Sequence, residues 1–141
     1  MNLTAHFTVE ELTRSEIALR KGLDNTPDEE ASKNLKVLAM GLERVRGLLG
    51  QPMHINSGYR SKVVNDAVGS KDTSAHRKGF AADFVCPGYG SPIQICKAIR
   101  DSEIPYDQLI HEFGSWVHIS FDPQLRGQVL TIDSNGTRQG I

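Results

Sequence analysis

The first half of the chain has the hydrophobic spacing of amphipathic helices. Its clearest apolar residues recur at alternating intervals of three and four positions, which places them on one helix face: Leu35, Leu38, Leu42, Val45 and Leu49. Gly50 and Pro52 follow as helix-ending residues. Thr8, with a glutamate three residues later, is typical of a helix start, and so is Thr26 followed by Pro27 and acidic residues. We predict a short helix after Thr8 and a long one with Pro27 at its first position.

Beyond Pro52 the pattern changes to short β-type segments separated by glycine, proline and polar residues. The segments that predict strands are 54–57, 80–85, 107–112, 116–121 and 129–132. One further helix is predicted to begin at Ser91, and the residues after Asp133 to form a turn and a loose tail. Helices followed mainly by strands predict an α+β fold, with a helical N-terminal half packed on a small antiparallel sheet. We expect one domain over residues 1–141.

Composition and charge narrow the function classes. The 141 residues include 16 Lys and Arg against 17 Asp and Glu, which leaves a formal charge of −1 and no basic stripe for nucleic acid. No apolar run approaches the roughly 20 residues of a membrane span, and we expect no signal peptide. Cys86 and Cys96 form neither a disulfide framework nor a CxxC metal motif, so we predict two buried thiols. A monomer is expected, with neither membrane insertion nor a nucleic-acid partner.

Histidine and aspartate residues supply the candidate chemistry. His76 and Asp83 lie seven positions apart across Gly79, which is able to turn the chain so that imidazole and carboxylate meet on one cation. His118 lies in a predicted strand, on the same face as Trp116. Two histidines and one carboxylate are the ligand number of catalytic zinc sites, which keep the fourth position for water.

The motif order along the chain is more specific than any single residue. It runs Ser57-Gly58-Tyr59-Arg60-Ser61, Asn65, Val68-Gly69, Ser74-x-His76-x-x-Gly79-x-Ala81-x-Asp83 and Trp116-x-His118. This order resembles the zinc D-Ala-D-Ala carboxypeptidase family, which shares its fold with L-Ala-D-Glu endopeptidases and the amino-terminal domain of hedgehog proteins. The early helical segment, from Phe7 to Pro27, is similar to small single-domain members in phages and prophages, which include endolysins and virion-associated wall hydrolases.

The resemblance implies a role for each matching residue. The three candidate ligands correspond to the family's His-Asp-His set, which holds a single zinc ion. Arg60 corresponds to the arginine that lies over the site, where a guanidinium holds a substrate carbonyl and its developing oxyanion. Ser74, Arg60 and Trp116 are expected to contact the substrate, a peptidoglycan peptide.

The general base is where the sequence departs from the family pattern. Family members often carry Glu three residues before the last histidine, or His five before it, and here those positions hold serine and phenylalanine. A three-residue hairpin loop would place Glu112 opposite Trp116 and on the face of His118, whereas a two-residue loop would place His111 opposite His118. We predict Glu112 as the catalytic base, with His111 as the alternative.

The implied activity is zinc-dependent hydrolysis of cell-wall peptides that contain D-amino acids, by a carboxypeptidase or an endopeptidase. The alternative is a non-catalytic, zinc-containing binding or structural module of a phage virion or wall assembly, because hedgehog domains retain the metal in a protein that binds. We expect synthesis in the cytoplasm of a bacterial host, with action on the wall after lysis, or carriage on a virion.

Overall fold

The computed structural model describes all residues, 1–141, as six helices and one six-stranded sheet. The helices are α1 (Val9–Thr13), α2 (Glu16–Lys21), α3 (Glu29–Leu49), α4 (Lys62–Ala67), α5 (Ala75–Lys78) and α6 (Pro92–Arg100). The strands are β1 (His54–Ser57), β2 (Ala81–Val85), β3 (Gln108–Glu112), β4 (Trp116–Ser120), β5 (Gln128–Asp133) and β6 (Gly136–Gln139). None of the helices is long and apolar enough to cross a membrane.

The first two predicted helix starts have different outcomes. α1 begins as predicted, because the Oγ of Thr8 accepts a hydrogen bond from the backbone N–H of Glu11 at 3.0 Å. The start predicted for the long helix is wrong by two residues, since α3 begins at Glu29 and the carboxylate of Asp28 accepts the N–H of Ala31 at 2.8 Å. At the residue before the first helical position, an aspartate carboxylate is a better helix cap than a threonine hydroxyl, and it also interacts favourably with the helix dipole.

One face of the sheet shares a hydrophobic core with α3 and α6. The apolar stripe of α3 is buried as predicted, and the helix ends at Gly50, whose φ of 66° lies in the left-handed region. α6 begins with the predicted capping box of Ser91 and Gln94. Cys86 and Cys96 are buried free thiols, as predicted.

The strand residues that join this core include Ala82, Phe84, Leu109, Val117 and Ile119. The residues that alternate with them point to the opposite face of the sheet.

The sheet order is β1-β2-β4-β3-β5-β6. The prediction of a purely antiparallel sheet is wrong for one pair, because β3 and β5 run parallel. The chain leaves β4 and crosses to the far side of β3, where Arg126 donates two hydrogen bonds to the carboxylate of Asp107, at 2.9 and 2.8 Å. The N–H of Gln128 also donates to the carbonyl of Asp107 at 2.9 Å. These bonds start β5 beside β3 and in the same direction.

Residues after Asp133 form a turn as predicted, but the predicted loose tail is wrong. β6 pairs antiparallel with β5 and adds an edge strand to the sheet. Asp133 stabilises the turn through two contacts of its carboxylate. It accepts a hydrogen bond from the N–H of Asn135 at 2.9 Å and pairs with the guanidinium of Arg138 at 2.9 Å.

Three short helices lie where no helix is predicted. α2 and α4 have six residues and α5 has four, which is too short for a repeating apolar pattern. Each begins after a serine whose hydroxyl accepts a backbone N–H: Ser15, Ser61 and Ser74. His76 therefore lies in a helix, α5, and not in a loop.

Candidate metal centre

Three residues from separate elements converge on the sheet face opposite the core. His76 of α5, Asp83 of β2 and His118 of β4 each offer a ligand atom, and these atoms lie within 4.8 Å of one another. The Oδ1 of Asp83 is 3.1 Å from the Nε2 of His76 and 2.9 Å from the Nδ1 of His118. All three residues are buried. The fold therefore brings together the three residues that the sequence predicts as metal ligands.

The sheet register positions two of these residues. Asp83 and His118 are direct partners on antiparallel neighbours β2 and β4, so their side chains share one face at close range. His76 arrives from α5, which Ser74 caps by accepting the N–H of His76 at 3.3 Å. Gly79 ends α5 at a φ of 86°, and the chain then enters β2. The turn between the first two ligands therefore depends on a residue that favours the left-handed region.

A backbone contact orients the ring of His76. Its Nδ1 lies 2.8 Å from the carbonyl oxygen of Gly58, which leaves Nε2 as the ligand atom facing Asp83. Gly58 itself is packed so closely that a Cβ there would lie 2.3 Å from the backbone oxygen of Leu12. The N–H of Tyr59 donates to that same oxygen at 2.7 Å. The glycine of the Ser-Gly-Tyr-Arg motif is thus required by close backbone approach, which the motif alone does not reveal.

Arg60 lies beside the candidate ligands. Its guanidinium is 3.8 Å from the carboxylate of Asp83, and its side chain is mostly buried. Burial lowers the pKa of Arg60, while the negative charges of Asp83 and Glu112 raise it. For Asp83, burial acts in the opposite direction and raises the pKa. The charges and hydrogen bonds of His76 and His118 outweigh the effect of burial and hold the pKa of Asp83 well below its usual range. Asp83 is therefore ionised and available as a ligand.

The hairpin register brings Glu112 to the same face. Residues 113–115 form the three-residue loop, with Glu112 opposite Trp116 and Ile110 opposite His118. The Oε1 of Glu112 lies 3.7 Å from the Nδ1 of His118. Burial raises the pKa of Glu112, Asp83 raises it further, and His118 opposes the shift. This carboxyl is therefore more basic than an exposed glutamate.

His111 does not join this cluster. It pairs with Val117, and both residues lie on the opposite face of the sheet from His118. The two-residue loop, which would have brought His111 opposite His118, is not the one that the chain adopts.

Two aromatic rings border Glu112. Trp116 and Phe113 lie with their ring centroids 5.6 Å apart. The indole N–H of Trp116 is buried without an aligned hydrogen-bond partner, and its proximity lowers the pKa of Glu112. Phe113 is half exposed and has a φ of 55°, which is unusual for a residue with a side chain. The hairpin tip thus presents an aromatic rim next to the ligands.

The chain matches the family described as Peptidase M15 over residues 5–120. It belongs to the peptidase M15 family. The matched residues include the three candidate ligands, Arg60 and Glu112, whereas β5 and β6 lie beyond the match. No curated protein matches the chain. Membership of the M15 family supports metallopeptidase activity.

The donor set of this M15 member fits a metal ion. Two imidazole nitrogens and one carboxylate are donors that zinc accepts. Ligand atoms at 2.0–2.1 Å from a tetrahedral zinc ion would lie roughly 3.3 Å apart. The separations of 3.1 Å and 2.9 Å around the Oδ1 of Asp83 are close to that value. With all three ligand atoms within 4.8 Å of one another, His76, Asp83 and His118 are grouped closely enough to hold an ion.

Proposed function

We propose that the chain is a zinc peptidase that hydrolyses amide bonds of peptidoglycan peptides. The observation that carries the proposal is the shared face of His76, Asp83 and His118 with Arg60 and Glu112 beside them. When bound by the three ligands, a zinc ion would polarise the substrate carbonyl and lower the pKa of a water ligand toward about 7. Membership of the M15 family and the motif order support a cell-wall peptide as the substrate.

Glu112 has the position and basicity of a general base. Its carboxyl lies 3.7 Å from a ligand nitrogen of His118 and its pKa is raised by burial. We assign to Glu112 the removal of a proton from the attacking water and the delivery of that proton to the leaving amine. His111, on the other face of the sheet, has no part in this assignment.

We assign to Arg60 the stabilisation of the negative charge that develops on the substrate carbonyl oxygen. A buried guanidinium with a fixed direction stabilises an oxyanion more strongly than one in water does. Trp116 is assigned to substrate contact through its place on the aromatic rim. Ser74 caps α5, and its proposed substrate contact would be an additional role.

The proposed enzyme acts as a monomeric domain over residues 1–141, as an endopeptidase or a carboxypeptidase. We assign it to the phage or prophage lytic enzymes, which reach the wall after lysis or on a virion. The position of Glu112 favours a catalytic protein over the non-catalytic zinc module, because it puts a carboxylate beside the candidate ligands although Ser115 and Phe113 occupy the family's usual base positions.

Digestion of isolated sacculi tests the proposal. The purified zinc-loaded protein is incubated with sacculi, with and without a chelator, and the released fragments are identified by mass spectrometry. We expect new amino and carboxyl termini in stem peptides or cross-links, and none with the chelator or with His76→Ala. Fragments that persist in both controls would refute zinc-dependent hydrolysis, and the fragment masses identify the cleaved bond.

A further inference from the structure

A groove leads away from the candidate metal centre along the edge strand β1. Its first cavity, of about 220 Å³, lies between β1, α2 and α4. Arg60 lines this cavity and also lies 3.8 Å from the carboxylate of Asp83, so the cavity begins one side chain away from the candidate ligands. Ser57, another lining residue, is paired with Asp83 in the sheet.

A second cavity of about 220 Å³ continues the groove along β1. The two cavities share Glu16 and Asn56, and the second is also lined by Arg14, His54 and Ile55. The β1–β2 pairing shifts register between Ile55 and Ser57, which makes Asn56 the extra residue of a β-bulge. Bulges next to active sites redirect side chains, and this one places Asn56 in the wall of both cavities.

Charges alternate along the groove. Arg60 is at the metal end, Glu16 lies between the cavities, and Arg14 is in the second cavity. Glu16 is the only carboxylate in either lining. Arg14 and Glu16 lie 3.9 Å apart with their side chains 64% and 80% exposed, so their pair adds little to folding and leaves both groups open to a ligand.

The first cavity also has an aliphatic wall. Ile17, Val64 and Val68 line it on the side of the two helices. A ligand that suits the whole groove therefore has methylene groups for this wall, an ammonium group for Glu16 and a carboxylate for Arg14.

We infer that the groove is a substrate subsite for an aliphatic side chain that ends in a carbon bearing both an ammonium and a carboxylate group, as in diaminodicarboxylic acids. Glu16 and Arg14 are then specificity residues that bind the ammonium and the carboxylate, and Ile17 and Val68 contact the methylenes above the buried Val64. The inference rests on the proposed function, because it takes the substrate to be a wall peptide held at Arg60.

Pentapeptides of sequence L-Ala-γ-D-Glu-X-D-Ala-D-Ala test this subsite, with X as meso-diaminopimelate, lysine or norleucine. Dissociation constants are measured with the zinc-loaded Glu112→Gln protein, so that binding is observed without turnover. An exposed charge contact changes affinity by up to about fivefold. We expect the diaminopimelate peptide to bind about tenfold more tightly than the norleucine peptide, with the lysine peptide between them.

Variants in the same background assign the two contacts. Glu16→Gln should reduce the preference of both charged peptides over norleucine, and Arg14→Gln should remove the difference between diaminopimelate and lysine. Glu103→Gln, an exposed glutamate outside both linings, is the matched control and should keep all three ratios. Equal dissociation constants for the three peptides, or ratios that neither groove variant changes, would overturn the subsite.

Hydrolysis of the same peptides by the wild-type protein separates this inference from the proposed function. If all three are cut with equal kcat/KM, the enzyme assignment stands and the subsite is wrong. If neither these peptides nor sacculi are cut while the binding preference holds, the subsite stands and the hydrolytic assignment is wrong.

Discussion

Asp83 and His118 face each other directly across β2 and β4, and the Oδ1 of Asp83 lies 2.9 Å from the Nδ1 of His118. Because the backbone ladder fixes this pairing, two of the three candidate ligands are held by the sheet itself. Only His76 depends on a separate element, α5, and its ring is oriented by the carbonyl of Gly58.

The first prediction concerns metal affinity. Asp83→Asn removes the carboxylate on which both histidines converge, so we expect zinc affinity to fall by more than the 10- to 100-fold typical of losing an outer hydrogen-bond partner. Equilibrium dialysis against zinc buffers measures the change. His111→Ala is the matched control on the opposite sheet face and should bind zinc like the wild type. Equal affinity of Asp83→Asn and the wild type would exclude this carboxylate as a ligand.

The second prediction concerns Gly58. An added Cβ would lie 2.3 Å from the backbone oxygen of Leu12, so Gly58→Ala should destabilise the fold by about 1–3 kcal/mol. We also expect weaker zinc binding, because the carbonyl of Gly58 orients His76. Denaturant unfolding measures the first effect. Gly47→Ala in α3 meets nothing within 4 Å and should stabilise the helix by up to about 1 kcal/mol. Equal stability of the two variants would refute the close contact at Gly58.

The third prediction concerns acid stability. Hydrogen bonds from Arg126 lower the pKa of Asp107 below its ordinary value. The folded state therefore binds this proton less tightly than the unfolded state, so the carboxylate contributes stability above its usual pKa of about 4, and that stability is lost as pH falls through the lower folded value. Asp107→Asn should cost more stability at pH 7 than at pH 3. An equal loss at both pH values, measured by denaturant unfolding, would contradict this linkage.

Local sequence signals predicted the parts of the structure that local interactions determine. The stripe of α3 and the capping box of α6 follow from regular short spacings along the chain. The hairpin of β3 and β4 was predicted in the same way, but its spacing left a two-residue and a three-residue loop open, and the choice of Glu112 drew on the family resemblance. The register of the three-residue loop was enough to bring Glu112 beside His118. The candidate ligand set was predicted from the motif order that resembles the zinc carboxypeptidase family, and the short interval between His76 and Asp83 across a glycine is its local part.

The remaining features depend on contacts between distant residues. The parallel pairing of β3 and β5 needs the link between Asp107 and Arg126, which are 19 positions apart. The need for glycine at position 58 arises from a contact with Leu12 in α1. Neither relation leaves a periodic pattern in the sequence. The groove lined by Arg14 and Glu16 is likewise formed only when α2 packs near β1.

Hydrolysis by a Glu112→Gln variant with matched zinc content tests the proposed enzyme most directly. The substitution keeps the size of the side chain and all three candidate ligands, so the variant should bind zinc like the wild type. We predict that its rate of release of peptide fragments from sacculi, followed by mass spectrometry, falls by about 10²- to 10⁴-fold. A zinc-loaded variant that cleaves at the wild-type rate would contradict the assignment of Glu112 as the base.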